Sequence, residues 1–180
     1  MKRTFVASFL LLLAACDGPG EQALIGPAVH ELAQQGETRR LLQRISADGD
    51  VNHRDICYRT PLMLAAQYGH IDTVNELIAA GARVDLHEKG YYTALMLAAG
   101  NGHGPVVRRL ADAGARVNEV ELTRGWTALI WAAKRGHTDT VRNLIELGAD
   151  PQVRDAMGRS ALDWARANRH TAVIGLLTSS

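Results

Sequence analysis

The chain has 180 residues, 47% hydrophobic and 22% charged, with 20 basic residues against 19 acidic ones. The apolar share supports a packed core rather than a disordered chain, and the near-neutral balance leaves no basic footprint for nucleic acid or for wide adsorption to anionic lipid. Aromatics are scarce at 5%, and the richness in alanine and leucine favours helix over sheet.

In chain order, the first element is not part of a fold. Met1-Lys2-Arg3 is basic, and an apolar run follows from Phe5 to Ala15. The run is too short to span a bilayer, which needs roughly 20 residues, but it suits the h-region of a signal peptide. It ends in "LAAC", Leu13 to Cys16. This resembles the bacterial lipobox, whose cysteine is joined to diacylglycerol before the signal is cut off and the new amine acylated. The alternative is an ordinary signal peptide with a chance cysteine. The resemblance implies residues 1–15 as signal and Cys16 as a lipidated anchor whose several acyl chains hold the membrane stably. Cleavage takes away Lys2 and Arg3 and leaves 18 basic and 19 acidic residues, a formal net of −1. Asp17 resembles the enteric signal for inner-membrane retention. Residues 16–27, with "DGPGEQALIGP" after Cys16, read as a flexible tether. With Cys16 lipidated, Cys57 stands alone of the two cysteines, so no internal disulfide is expected.

From residue 28 a repeat takes over. "TPLMLAAQYGH" at Thr60–His70 returns as "TALMLAAGNGH" at Thr93–His103 and "TALIWAAKRGH" at Thr127–His137. The step is 33 residues from Thr60 to Thr93, 34 to Thr127 and 33 to Ser160; Gly69, Gly102 and Gly136, then Gly81, Gly114 and Gly148, keep the same beat. A fixed period of this size signals a solenoid. Within a unit, Thr60 is a helix N-cap and Pro61 takes the first helical position. "LMLAA" makes a short helix with small residues that let a neighbour approach, and Gly69 ends it in the left-handed region. A second helix runs from Ile71 to Ala80, with Val74, Leu77 and Ile78 at helical spacing.

These motifs resemble the ankyrin repeat over nearly all of residues 28–180. The resemblance implies an all-α ankyrin-repeat solenoid of about five helix-turn-helix repeats joined by β-hairpin fingers, at about 28–54, 55–87, 88–120, 121–154 and 155–180. The first and last are degenerate, as capping units facing water are expected to be. Three departures stand out. The family's histidine after Thr-Pro-Leu is replaced by Met63, Met96, Ile130 and Asp163. Pro61 has no counterpart at Ala94, Ala128 or Ala161. One extra residue lies between Val117 and Thr127.

The chemistry-bearing residues are few. His53, Asp55 and Cys57 are neighbours in sequence, which is weak support for a thiol nucleophile because catalytic partners converge from distant segments; the repeat register places Cys57 on an exposed hairpin. His70, His103 and His137 recur one repeat apart, too far to share a metal with ligand bonds of about 2 Å, and read as helix links. "HEKG" from His87 lacks the second histidine of a zinc helix. Trp131 and Trp164, at the position of Leu64 and Leu97, read as a core ladder. No cofactor, metal or catalytic residue is expected.

In ankyrin proteins partners dock on finger tips and on the concave face of the first helices. The period maps Arg59, Tyr92, Trp126 and Arg159 onto a finger stripe, flanked by Tyr58, Tyr91 and Arg124. It maps Gln67, Tyr68, Gly100, Asn101, Lys134 and Arg135 onto an inner-helix stripe. Tyr, Trp and Arg dominate interface hot spots. The expectation is a monomeric interaction module, lipid-anchored in a bacterial envelope and facing the periplasm, with the inner membrane favoured by Asp17. Its partner is another protein, not nucleic acid. It either scaffolds an envelope protein, as some periplasmic ankyrin proteins resemble doing for catalases, or serves as an immunity protein against a periplasm-acting toxin. A Cys57-based redox sensor or enzyme is the rival of another class.

Overall fold

The computed structural model describes residues 28–179, so Cys16 and the signal and tether expectations lie outside the described residues. Ten helices make up the described part. They are α1 (Val29–Gln35), α2 (Thr38–Asp48), α3 (Pro61–Tyr68), α4 (Ile71–Ala79), α5 (Ala94–Gly100), α6 (Gly104–Asp112), α7 (Ala128–Arg135), α8 (Thr138–Glu146), α9 (Ala161–Ala167) and α10 (Thr171–Thr178). The odd-numbered helices stack as an inner row and the even-numbered ones as an outer row, giving the all-α solenoid of five helix pairs that the period predicts. The alanine pairs explain the close inner row: Ala65, Ala66, Ala98, Ala99, Ala132 and Ala133 are fully buried, and a methyl is the largest group that lets backbones approach so closely.

Each inner helix begins on a hydroxyl. Thr60, Thr93, Thr127 and Ser160 accept from the backbone N–H three residues on, at 3.2–3.3 Å. In the second and last units the histidine missing from the motif is replaced locally. Met63 Sδ accepts from the Thr60 N–H, and the Asp163 carboxylate takes both the N–H and hydroxyl of Ser160.

Successive repeats are stitched by a second set of histidines. The Nε2–H of His70, His103, His137 and His170 donates to the carbonyls of Gln34, Gln67, Gly100 and Lys134 at 2.8–3.0 Å. These are the last carbonyls of the previous inner helix, which have no partner within their own helix. Each ring lies on the glycine that ends that helix. At Gly69, φ is +79°, and a Cβ there would sit 2.5 Å from His103 Nδ1. The histidines expected as helix links are therefore links between repeats. Arg169, at the glycine position of the last unit, holds φ +60°. On the outer side Asn52, Asp85 and Asn118 accept from the N–H of Arg83, Arg116 and Asp150 at 2.8–3.0 Å.

The fingers differ from the expected β-hairpins. Among the described residues the one bridge pair is His87 with Thr93, and the rest are turns. An acid organises each turn. Asp55, Glu88, Glu121 and Asp155 fold their carboxylates back onto two or more N–H groups of their own finger. The second and third fingers are joined by Lys89 N–H to Cys57 O (3.0 Å), and the fourth and fifth by Ala156 N–H to Arg124 O (2.8 Å). Among the described residues no backbone hydrogen bond crosses between the third and fourth. The extra residue of the fourth finger lies there, between Glu121 and Thr127.

Candidate functional site

The fingers and inner helices meet at an angle, and the predicted partner residues line it unequally. Tyr58, Tyr68 and Tyr91 are 43–49% exposed. Tyr68 stacks on His70 and Tyr91 on His87, at 6.5 and 4.5 Å between ring centres. Arg54 and Lys89 both lie 5.5 Å from the Tyr58 ring. Arg59 is half-buried in an ion pair with Asp55 at 2.7 Å. Tyr92 is half-buried, edge-on to Trp131 at 5.7 Å. Asn101 donates to Leu97 O at 2.8 Å. Arg135 donates to Gly100 O at 2.7 Å and lies 5.1 Å from the Trp131 ring.

Three expectations are corrected. Trp126 was placed on the finger surface, outside the tryptophan ladder; it is 5% exposed and wedged between Trp131 and Trp164, edge-to-face at 4.7 and 5.3 Å. Its indole N–H is used internally, on Asp155 Oδ2 at 3.1 Å. It has almost no surface left for a partner, and the ladder runs Trp131–Trp126–Trp164. Cys57 was placed on an exposed hairpin. Its N–H is drawn onto Asp55 and it is 2% exposed. Nor is it alone: Cys57 is disulfide-bonded. Gln67, at 8% exposed, is also largely covered.

Cations crowd this ladder. Lys134 Nζ lies over Trp126 and Trp164 (4.7 and 4.8 Å), Arg124 over Trp126 (4.9 Å) and Arg159 over Trp164 (3.6 Å). Burial, then Arg124, Arg135 and Arg159, hold the Lys134 ammonium below its ordinary range. Beneath them Asp155 is raised by burial but lowered more by hydrogen bonds from Arg159, Trp164, Met157 and Trp126, so its carboxyl lies below the usual value.

Sequence reasoning missed a cavity of about 470 Å³ between the third and fourth fingers. Its floor is Met96, Leu97, Gly100 and Trp131, and its rim includes Arg59, Tyr92, Arg124 and Arg135. It also missed the bare finger tips Ile56, Leu122 and Met157, at 63–73% exposure. One sequence signal was available. The finger acids recur at steps of 33, 33 and 34 while the threonine steps are 33, 34 and 33, which locates the insertion between Glu121 and Thr127. Among the described residues no cluster of three or more His, Cys, Asp or Glu has metal-binding geometry, and no helix is long and apolar enough to cross a membrane.

The family model for ankyrin repeats (three copies) matches residues 29–121 and again 118–180. The chain is an ankyrin-repeat protein. No curated protein matches it. Ankyrin repeats are a protein–protein interaction module and typically a non-enzymatic scaffold.

Proposed function

We propose that this ankyrin protein is a lipid-anchored module of the bacterial envelope that holds a periplasmic protein partner on its fingers and inner helices. The carrying observation is the backbone at Tyr58 and Tyr91. Both hold positive φ, +62° and +64°, where the equivalent turns of the fourth and fifth fingers use Gly125 and Gly158. A left-handed L-residue costs roughly 1–2 kcal/mol. Tyr58 and Tyr91 are still 49% and 43% exposed, so burial recovers only part of this cost. Side chains kept under strain on a surface point to a contact outside the chain.

The test is capture from envelope extract with the full chain and with Tyr58→Gly/Tyr91→Gly. The variant should melt at the same temperature or higher, because glycine relieves the turns, and should lose the partner. Identification of the captured protein separates a scaffolded envelope enzyme, such as a catalase, from a neutralised toxin. Equal capture by both chains would remove the tyrosines from the interface. A thiol-based activity is disfavoured, since reactivity needs an accessible thiolate and Cys57 is buried.

The anchor reading rests on the basic start, the apolar run and "LAAC". It has a sharp consequence. The sequence holds two cysteines, and one sulfur cannot carry both a thioether and a disulfide. In a lipidated chain Cys57 is a thiol or is bridged to another molecule. Intact mass of membrane-extracted protein should show a chain starting at Cys16 with acyl mass added, and Cys16→Ser should release the protein to the soluble fraction. An unacylated chain with Cys16 bonded to Cys57 would overturn the anchor.

A further inference from the structure

Three cations meet over the tryptophan ladder. Lys134 takes an inner-helix position that Gln34, Gln67, Gly100 and Ala167 hold in the other four repeats, so no other unit places a charge there. Its Nζ lies 4.7 Å from the Trp126 ring and 4.8 Å from the Trp164 ring. Arg124 Cζ lies 4.9 Å from the same Trp126 ring, and Arg159 Cζ 3.6 Å from the same Trp164 ring. Through these shared rings both guanidiniums are within about 10 Å of the ammonium, one Debye length at 0.1 M salt. The three come from the fourth finger, α7 and the fifth finger, and the two fingers are joined by Ala156 N–H to Arg124 O.

The acids of the neighbourhood do not answer these charges. Glu121 is buried, and the Asp155 side chain is 1% exposed. Their carboxylates are turned onto finger N–H groups and, for Asp155, onto the two indole N–H groups. Asp163 accepts from Ser160 and faces Arg154. Arg159 Nε lies 3.6 Å from Asp155 Oδ2. Among the described residues the Lys134 ammonium has neither an acid nor a hydrogen-bond acceptor, and Arg124 donates to Tyr92 Oη at 3.3 Å without pairing with an acid. Arg124 is exposed, and Lys134 and Arg159 are half-buried. The charges bearing on Lys134 are the cations Arg124, Arg135 and Arg159, which together with burial hold its ammonium below the ordinary range. Like charges held close disfavour one another, and negative charge from outside would relieve them.

We propose that this patch docks an extended acidic segment of the protein partner, with one carboxylate against Lys134 and the next on the same face against Arg124 or Arg159. This rests on the interaction reading and names the charge of the partner. In an extended chain, residues two apart share a face and lie about 7 Å apart, a spacing that suits cations within about 10 Å of one another. A single phosphate would answer one of them. The half-buried ammonium on the last turn of α7 sits in the angle between inner helix and fingers, where a peptide fits and a flat bilayer does not. With 20 basic and 19 acidic residues, the chain offers no wide basic face for nucleic acid.

The test titrates the full chain by calorimetry at low salt with capped Glu-Ala-Glu-Ala-Glu-Ala, its glutamine analogue and phosphatidylglycerol vesicles. The glutamate peptide should bind about tenfold tighter than the glutamine one, and salt of about 1 M should erase the difference. Lys134→Met keeps an unbranched side chain on both indoles and removes the charge. It should weaken glutamate-peptide binding about tenfold, the value of one hydrogen bond to a charged group. It should melt no lower than the natural chain, because it removes like-charge repulsion. Lys134→Arg should keep the binding. Arg142→Gln, which takes the same charge from the exposed side of α8, should leave it unchanged. Equal binding of the glutamate and glutamine peptides would overturn the proposal. So would a Lys134→Met chain that melts lower and binds undiminished, the mark of a lysine that only packs, or an equal loss in Arg142→Gln, the mark of net charge. Vesicles bound through Lys134 while the peptide is ignored would make the patch a lipid surface and overturn it too. If the peptide fails while the envelope partner is still captured through Tyr58 and Tyr91, this inference falls alone. Loss of both removes the interaction reading with it.

Discussion

Replacing Trp126 with alanine is expected to destabilise the protein by about 3–5 kcal/mol, the usual range for deleting a buried tryptophan. The ring fills the space between Trp131 and Trp164, and each of those contacts is edge-to-face. Such pairs add roughly 0.5–1.5 kcal/mol beyond their area. The substitution also takes the indole N–H from Asp155, a carboxylate with a side chain only 1% exposed. Trp164 Nε1 and the finger N–H groups remain on it, so the acid stays ionised but less well held. Against a whole-domain stability of about 5–15 kcal/mol, this loss should uncouple the last two repeats. Urea unfolding followed by circular dichroism measures it. Tyr91→Ala, at an exposed site, should shift stability by only about ±0.5 kcal/mol. A Trp126→Ala chain as stable as the Tyr91→Ala chain would mean the ring lies on the surface. Any loss of partner binding by a Trp126 variant is therefore a loss of fold first.

Gly69→Ala is expected to be nearly as damaging, by roughly 2–4 kcal/mol, combining left-handed strain of about 1–2 kcal/mol with overpacking of about 1–3 kcal/mol. The new methyl would lie 2.5 Å from His103 Nδ1 and 2.6 Å from Cε1. To yield, the imidazole must give up its hydrogen bond to Gln67 O, and with it the stitch between the second and third repeats. Gly81→Ala is the control. Its φ is +88°, equally left-handed, but nothing lies within 4 Å of its Cβ position. It should show the backbone strain alone. The difference between the two variants isolates the histidine contact; equal losses would show that the stitch contributes nothing.

The architecture was legible because period, caps and glycines agree with one another. Thr60, Thr93 and Thr127 mark helix starts for a chemical reason, and the 33–34-residue step places every repeat. What the period could not supply was depth. It put Arg59, Tyr92, Trp126 and Arg159 in one stripe, yet Arg59 is half-buried on Asp55 and Trp126 is in the core. Register along the solenoid is a one-dimensional fact, whereas burial depends on which side chains are large next door. Trp131 and Trp164 replace leucines, and Trp126 packs onto their rings. Cys57 was misplaced for a related reason. Hairpin tips are exposed on average, but the Asp55 carboxylate pulls this turn inward. The cavity was hidden because it arises from an insertion in one finger and a missing side chain in the helix below it. These two irregularities are 20 or more residues apart in the sequence and meet only in the fold.

A protein partner is expected to meet the finger and inner-helix side of the molecule and not its outer helices. The most direct measurement is photo-crosslinking in intact envelopes, with a benzophenone amino acid at Tyr91 in one chain and at Arg142, exposed on α8, in another. A discrete crosslinked product from position 91 and none from position 142 is the expected result. A product from position 142 with none from position 91 would move the interface to the outer row.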